Sequence, residues 1–268
     1  MTDIDSFRKT VLDNYRKTGR EFPWRGAGPW GVMVSEYMLQ QTQTGRVVPY
    51  WEKWMRLWPQ PKFLAAASME DALKAWSGLG YNRRCYNLRK AAAIITDDYS
   101  GAVPETPEKL RLLPGVGPYI TGAIACFAHN YPSVFIETNI RSAVIHSFFS
   151  GRNDVNDSEI FPILEAALDR DNPRTWYYAL MDYGVSVKKS TENPGRRSAH
   201  YTRQSPFIGS FRQARGMVIK ALTSMGMASK GELASVSGLD EEKLYSVLDR
   251  LEKELLVAEK DGIYRIRD

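Results

Sequence analysis

Residues 113–119, Leu113-Pro114-Gly115-Val116-Gly117-Pro118-Tyr119, form a string in which the backbone alone can bind an anion. Its two glycines admit conformations closed to other residues, and Pro118 suits the first turn of a following helix. Amides exposed at such a helix start, with the helix dipole behind them, bind a phosphate without a side-chain charge. Gly115, Val116 and Gly117 are therefore candidate phosphate contacts; the plain alternative is a glycine-rich interhelical turn. Two carboxylates stand in contrasting surroundings. Glu36 lies among Val34, Tyr37, Met38 and Leu39, an apolar setting that disfavours the charged form, raises the pKa and makes a competent acid near neutrality. Glu137 follows Val134-Phe135-Ile136 and precedes Thr138-Asn139, a polar helix start whose dipole and amides hold a carboxylate ionised. A solvated surface glutamate and a simple helix cap are the respective alternatives.

The elements around these residues read as almost all helix. Ile4, Phe7, Val11, Leu12 and Tyr15 give residues 3–18 an amphipathic spacing that Gly19 stops. Pro23 and Pro29 bound a short loop, and a helix starting near Val32 carries Glu36. Short helices broken by Pro59-Gln60-Pro61, Gly78-Leu79-Gly80 and Gly101 follow, up to about residue 100. A further group covers about 139–187. Residues 188–210 are basic, with little apolar periodicity, and read as an ordered loop or linker. Helices at 211–224, 229–236 and 240–253, then a hairpin turning at Asp261-Gly262, predict a winged helix-turn-helix.

With the hairpin located, other strings fall into a known order: Pro23-Trp24-Arg25, Ser35-Glu36-Tyr37-Met38-Leu39-Gln40-Gln41-Thr42-Gln43, Gly78-Leu79-Gly80-Tyr81, Glu137-Thr138-Asn139-Ile140-Arg141 and Ala179-Leu180-Met181-Asp182-Tyr183-Gly184. From about residue 5 to 187 the chain resembles the MutY-type adenine DNA glycosylases of the helix-hairpin-helix (endonuclease III) superfamily. The resemblance implies a mainly α, two-lobed fold in residues 1–210, with a six-helix lobe at about 26–134 and a second lobe from 1–25 and 135–210; the winged helix read from the residues at 211–268 is a departure from the family. It implies excision of a flipped base from double-stranded DNA, adenine opposite G or 8-oxoguanine. A thymine or uracil glycosylase for T·G and U·G pairs stays open, as does a non-catalytic DNA-binding regulator.

The resemblance also implies roles. Glu36 protonates the departing base, and Glu137 stands at the catalytic aspartate position, beside the oxocarbenium-like sugar. Asn139 either orients water or the sugar-phosphate backbone or is structural. Trp24, Arg25 and Tyr178 fall in the base pocket; Leu39, Gln41 and Tyr81 fall at the pocket and the wedge that offsets lost stacking. Tyr119 replaces a Schiff-base lysine, so hydrolysis without strand cleavage is expected. Lys188, Arg196 and Arg197 are expected on DNA phosphates, and Arg196, Arg197, His200 and Tyr201 as a hydrogen-bonded scaffold.

The family's iron–sulfur cluster is expected to be absent: Lys188 occupies the first ligand position, and the 268 residues contain two cysteines where four are needed. No other metal spacing is present. A net charge of +5 suits a polyanionic partner. No apolar run is long enough for a membrane span, and MTDIDSFRKT does not read as a signal peptide. A cytoplasmic monomer is expected, nucleoid-associated if prokaryotic. The helix at 240–253 is net acidic, which favours packing or partner binding over reading the major groove.

Overall fold

A computed structural model describes residues 3–268. Its helices in chain order are α1 (Ile4–Thr18), α2 (Pro29–Leu39), α3 (Thr44–Leu57), α4 (Pro61–Ala66), α5 (Met69–Trp76), α6 (Arg83–Asp98), α7 (Pro107–Leu110), α8 (Pro118–His129), α9 (Thr138–Phe148), α10 (Asp157–Ala167), α11 (Pro173–Ser190), α12 (Phe211–Met225), α13 (Lys230–Ser237) and α14 (Glu241–Lys253). Strands are β1 (Met227–Ser229), β2 (Val257–Lys260) and β3 (Ile263–Ile266), and single 3-10 turns occupy Pro23–Gly26 and Pro194–Arg197. The chain divides into two units: one takes the residues through Val32, Glu105–Leu112 and Val116–Arg203, the other Met33–Pro104, Leu113–Gly115 and Gln204–Asp268.

In the first unit, α1 begins where the Asp3 carboxylate accepts the Ser6 amide at 2.8 Å, a side-chain cap that satisfies an orphan donor. Its apolar stripe buries Phe7 and Val11 among residues of α8, α9, α10 and α11. Helix α8 belongs to this core because Ala123, Cys126 and Phe127 are buried in it. Helices α9 and α11 approach closely at Gly184, where a Cβ would lie 2.0 Å from the Asn139 carbonyl oxygen. Residues 188–203 are fastened rather than free. The Asn193 side chain accepts the Gly195 amide at 3.0 Å, and Val155 pairs with the chain at Arg197 and Ala199.

In the second unit, α4 and α5 pack on α6, and α12 packs on α5. The winged helix is present: β3 lies between β1 and β2 in an antiparallel sheet. Leu222, Leu233, Leu244, Val247, Leu248, Leu251 and Leu256 are buried. The periodicity of α14 supplies four of them, one apolar face of a 3.6-residue repeat. Strand β1, three residues long, has no readable periodicity and was not expected. Nor does this element stand apart from α2–α6, since the Asp268 carboxylate also accepts the Met69 amide at 2.7 Å.

The approach at Gly184 generates a stability prediction. Gly184→Ala drives a methyl into the Asn139 backbone, which cannot yield as a flexible side chain can. The variant should lose about 3 kcal/mol, read as a lowered urea midpoint; an unchanged midpoint would show that α9 and α11 separate without cost.

Candidate active site

Glu36 sits in α2 and is 5% exposed, flanked by buried Val34, Ser35, Tyr37 and Met38. The helix is apolar on nearly every face, so the carboxyl is carried into the interior by its neighbours. The adjacent Tyr37 hydroxyl donates to the Pro114 carbonyl at 2.5 Å, linking the Glu36 helix to the first half of the hairpin. Burial pushes the Tyr37 phenol above its ordinary range, so it serves here as a neutral donor.

Beyond α2 the backbone turns through Gln41 at φ +54°, and the loop before α6 turns through Tyr81 at φ +50°. Left-handed backbone is costly for residues with a Cβ and persists only where surroundings impose it. Arg84 imposes it. Its buried guanidinium donates to the carbonyls of Tyr37, Met38 and Gln40 at 3.1, 2.7 and 2.6 Å. It also reaches those of Leu79 and Gly80 at 3.3 and 3.0 Å. One cation thus gathers both loops. Sequence reasoning missed Arg84; its only signal is a charge among the buried positions Cys85, Leu88, Ala91 and Ala92 of α6.

Glu137, Asn139 and Tyr119 lie in the first unit. Glu137 caps α9, its carboxylate accepting the amides of Asn139 at 2.6 Å and Ile140 at 2.8 Å. The Asn139 side-chain amide donates to its second oxygen at 3.1 Å, and the Lys188 ammonium donates to the Asn139 carbonyl oxygen at 2.9 Å. A relay of three side chains results. Burial raises the Glu137 pKa, and the helix amides and the Lys188 charge oppose that rise without cancelling it. The helix-start amides expected around this carboxylate are in place, and burial works against them. Burial also lowers the Lys188 pKa, with Arg141 adding to that and Glu137 working against it. Tyr119 is half-buried, its ring edge-on to Phe135 at 5.9 Å.

Arg25 makes a two-pronged pair with Asp182 at 2.9 and 2.8 Å, and Arg20 joins it at 2.6 Å. Although burial pushes the Asp182 carboxyl up, hydrogen bonds from Arg25 and Arg20 hold it below the usual range. The Arg25 guanidinium also lies 4.3 Å from the Tyr178 ring, which stacks on Phe127 at 4.5 Å. Tyr178 is therefore a buried core ring, and Arg25 clamps the segment before α2 to α11. Trp24 is buried and stacked on Phe22 at 4.9 Å. Leu39 is half-buried at the end of α2.

At the hairpin, Gly115 has φ +79°, and a Cβ there would meet the Asn87 side chain at 2.7 Å. Glycine is required on both counts. Gly117 is the N-cap of α8, Pro118 follows it, and the Val116 side chain is buried; only the backbone is offered there. Of the basic residues, Arg196 is exposed, with Glu192 at 3.5 Å. Arg197 donates to the carbonyls of Phe149 at 2.5 Å and Arg152 at 3.3 Å, closing the C-terminal end of α9. Lys188 turns to Asn139, as above. Cys85 and Cys126 are both buried and belong to different units. These residues do not fit a four-thiolate cluster. Among the described residues no group of three or more His, Cys, Asp or Glu is placed to hold a metal ion, and no helix is long and apolar enough to cross a membrane.

The chain is 34% identical over 240 residues to an adenine DNA glycosylase of Mycobacterium tuberculosis, covering 79% of this chain and 77% of that one. Among solved structures, a thermostable thymine-DNA glycosylase aligns with a TM-score of 0.61 at 24% identity, covering 68% of this chain and 85% of that one. A trapped covalent intermediate of endonuclease III with DNA aligns with a TM-score of 0.59 at 18% identity, covering 77% and 92%. These two likenesses establish the fold. The family model for HhH-GPD superfamily base excision DNA repair proteins matches residues 34–173. That match runs from inside the helix of Glu36, through the hairpin and Glu137, to the start of α11, and the chain belongs to the HhH-GPD superfamily of base excision DNA repair proteins.

Proposed function

We propose that this protein is a monofunctional DNA glycosylase that hydrolyses the N-glycosidic bond of a flipped adenine opposite G or 8-oxoguanine in double-stranded DNA. The observation that carries the reading is the buried Glu36, in a chain 34% identical over most of its length to an adenine DNA glycosylase. Departure of a base needs a proton at the leaving group and negative charge near the oxocarbenium-like sugar, and two carboxyls in different environments meet that need. Glu36 supplies the proton. Glu137 supplies the charge, with Asn139 and Lys188 fixing its orientation. Gln41 and Tyr81 fill the gap left by the flipped base, and the hairpin amides with Arg196 take backbone phosphates. Hydrolysis leaves the strand intact because the Tyr119 phenol cannot form an imine. The enzyme works without an iron–sulfur cluster, as a cytoplasmic monomer, nucleoid-associated if prokaryotic.

The experiment is a panel of duplexes carrying A·G, A·8-oxoguanine, T·G and U·G pairs, each treated with alkali after incubation. Wild type should release adenine from the first two, while Glu36→Gln releases none and binds within about tenfold of wild type. Release of thymine or uracil alone would replace the adenine reading, and normal turnover by Glu36→Gln would remove the acid. Because Glu137 must be ionised and its pKa is raised by burial, the rate should fall on acidification at a higher pH than an ordinary glutamate gives.

Borohydride should trap no covalent complex with the wild-type enzyme, and strands should break only after alkali. Efficient trapping would identify an amine nucleophile, with Lys188 the first to test by Lys188→Met. Purified protein should be colourless and contain no stoichiometric iron. One cluster per chain would overturn the clusterless reading.

A further inference from the structure

Tyr81 and Gln41 do not stand alone. Gln204, in the segment joining α11 to α12, donates its side-chain amide to the Gln41 side-chain oxygen at 3.2 Å and to the Tyr81 hydroxyl. Arg212, in the first turn of α12, donates to the same hydroxyl at 2.8 Å and to the Ser205 carbonyl at 2.7 Å. The Tyr81 ring centroid lies 5.6 Å from the Arg212 guanidinium carbon and 5.4 Å from that of Arg84. Both side chains with left-handed backbone are thus anchored at their far ends by residues of the C-terminal segment.

We infer that Gln204 and Arg212 are positioning residues of the wedge, so that the segment leading into the winged helix takes part in extruding the base. The inference rests on the reading of Gln41 and Tyr81 as the wedge. A side chain that must enter a base stack loses rotamer freedom as it does so, and one already fixed at its tip loses less. Arg84 fixes the backbone of both loops, and Gln204 and Arg212 fix what the loops present. Stacking alone needs only the Tyr81 ring. The two donors converging on its hydroxyl give that oxygen a task of its own, which is what makes the inference testable.

The test uses the full chain and a duplex with 2-aminopurine beside the target adenine, whose fluorescence rises when stacking is lost. Tyr81→Phe keeps the ring and removes the acceptor; Arg212→Ala removes the donor. Each should slow the fluorescence rise about three- to tenfold, the worth of one ordinary hydrogen bond. The double variant Tyr81→Phe/Arg212→Ala should be no slower than the worse single, because both remove the same contact. Arg212→Lys, with one donor left for the hydroxyl, should fall between wild type and Arg212→Ala. On a duplex whose target is already unstacked by flanking mismatches, all four variants should regain the wild-type rate of base release, which a merely destabilised protein would not. A normal rate for Tyr81→Phe, or additive losses in the double variant, would overturn the inference. Tyr81→Ala and Gln41→Ala separate the two readings. If neither slows flipping, the wedge reading itself fails. If both slow it while Gln204→Ala and Arg212→Ala do not, only the inference fails.

Discussion

A guanidinium taken out of water must find acceptors for its donors, and Arg84 finds them in five main-chain carbonyls and, at 3.3 Å, in the Thr42 hydroxyl. Burial draws its pKa down to about 10, which still leaves the group charged at neutral pH. Breaking a buried charge from its partners costs several kcal/mol, so the carbonyls of Tyr37, Met38, Gln40, Leu79 and Gly80 are tied to one point. Those carbonyls belong to the end of the Glu36 helix and to the loop before Tyr81. The acid, the left-handed turn at Gln41 and the left-handed turn at Tyr81 therefore share a single restraint.

The first unit meets a similar need with helix ends instead of a buried cation. Glu137 spends one oxygen on two amides of α9, the usual economy of a helix cap, and leaves the other to Asn139. Lys188 completes the arrangement from α11. The position where the resemblance places a metal ligand is thus taken by a side chain that supports the neighbouring carboxylate. Arg197 closes the other end of α9 by donating to its last carbonyls. Both termini of this helix are occupied by charged side chains of the appropriate sign, which fixes the helix axially and with it the height of Glu137.

How much of this was legible follows from the range of each signal. The burial of Glu36, the turn at Gly115 and the helix start at Gly117 follow from contiguous strings, so their local form was legible. The apolar stripe of α14 was equally plain. The surroundings of Tyr178 were not: the resemblance placed it at the base pocket, and nothing local announces that Phe127 and Arg25, 51 and 153 positions away in the chain, lie against its ring. Lys188 and Arg197 read as members of a basic surface segment because composition records charge and not partner. Arg84, Gln204 and Arg212 were missed for the same reason. Each acts on residues its own helix or loop does not contain, and no local periodicity marks such a pairing.

The acidity of α14 also changes meaning once partners are known. Read along the chain, Glu241, Glu242, Asp249, Glu252 and Glu254 weigh against a helix that enters a DNA groove. In the fold, Glu254 is buried and accepts from Arg250 at 2.8 Å and from Arg215 of α12, so it is an internal pair and not a surface charge. Glu241 and Asp249 are likewise paired, with Lys230 at 3.1 Å and Lys253 at 2.8 Å, though at exposed sites where such pairs contribute little. The cations of α12 divide differently: Arg215 is used up on Glu254, while Arg212 reaches Tyr81. Within this unit it is α12, not α14, that places a charged side chain on the residues read as the wedge. The winged helix here reaches the loops of Gln41 and Tyr81 through its first helix, and the acidic third helix serves to hold that first helix in place.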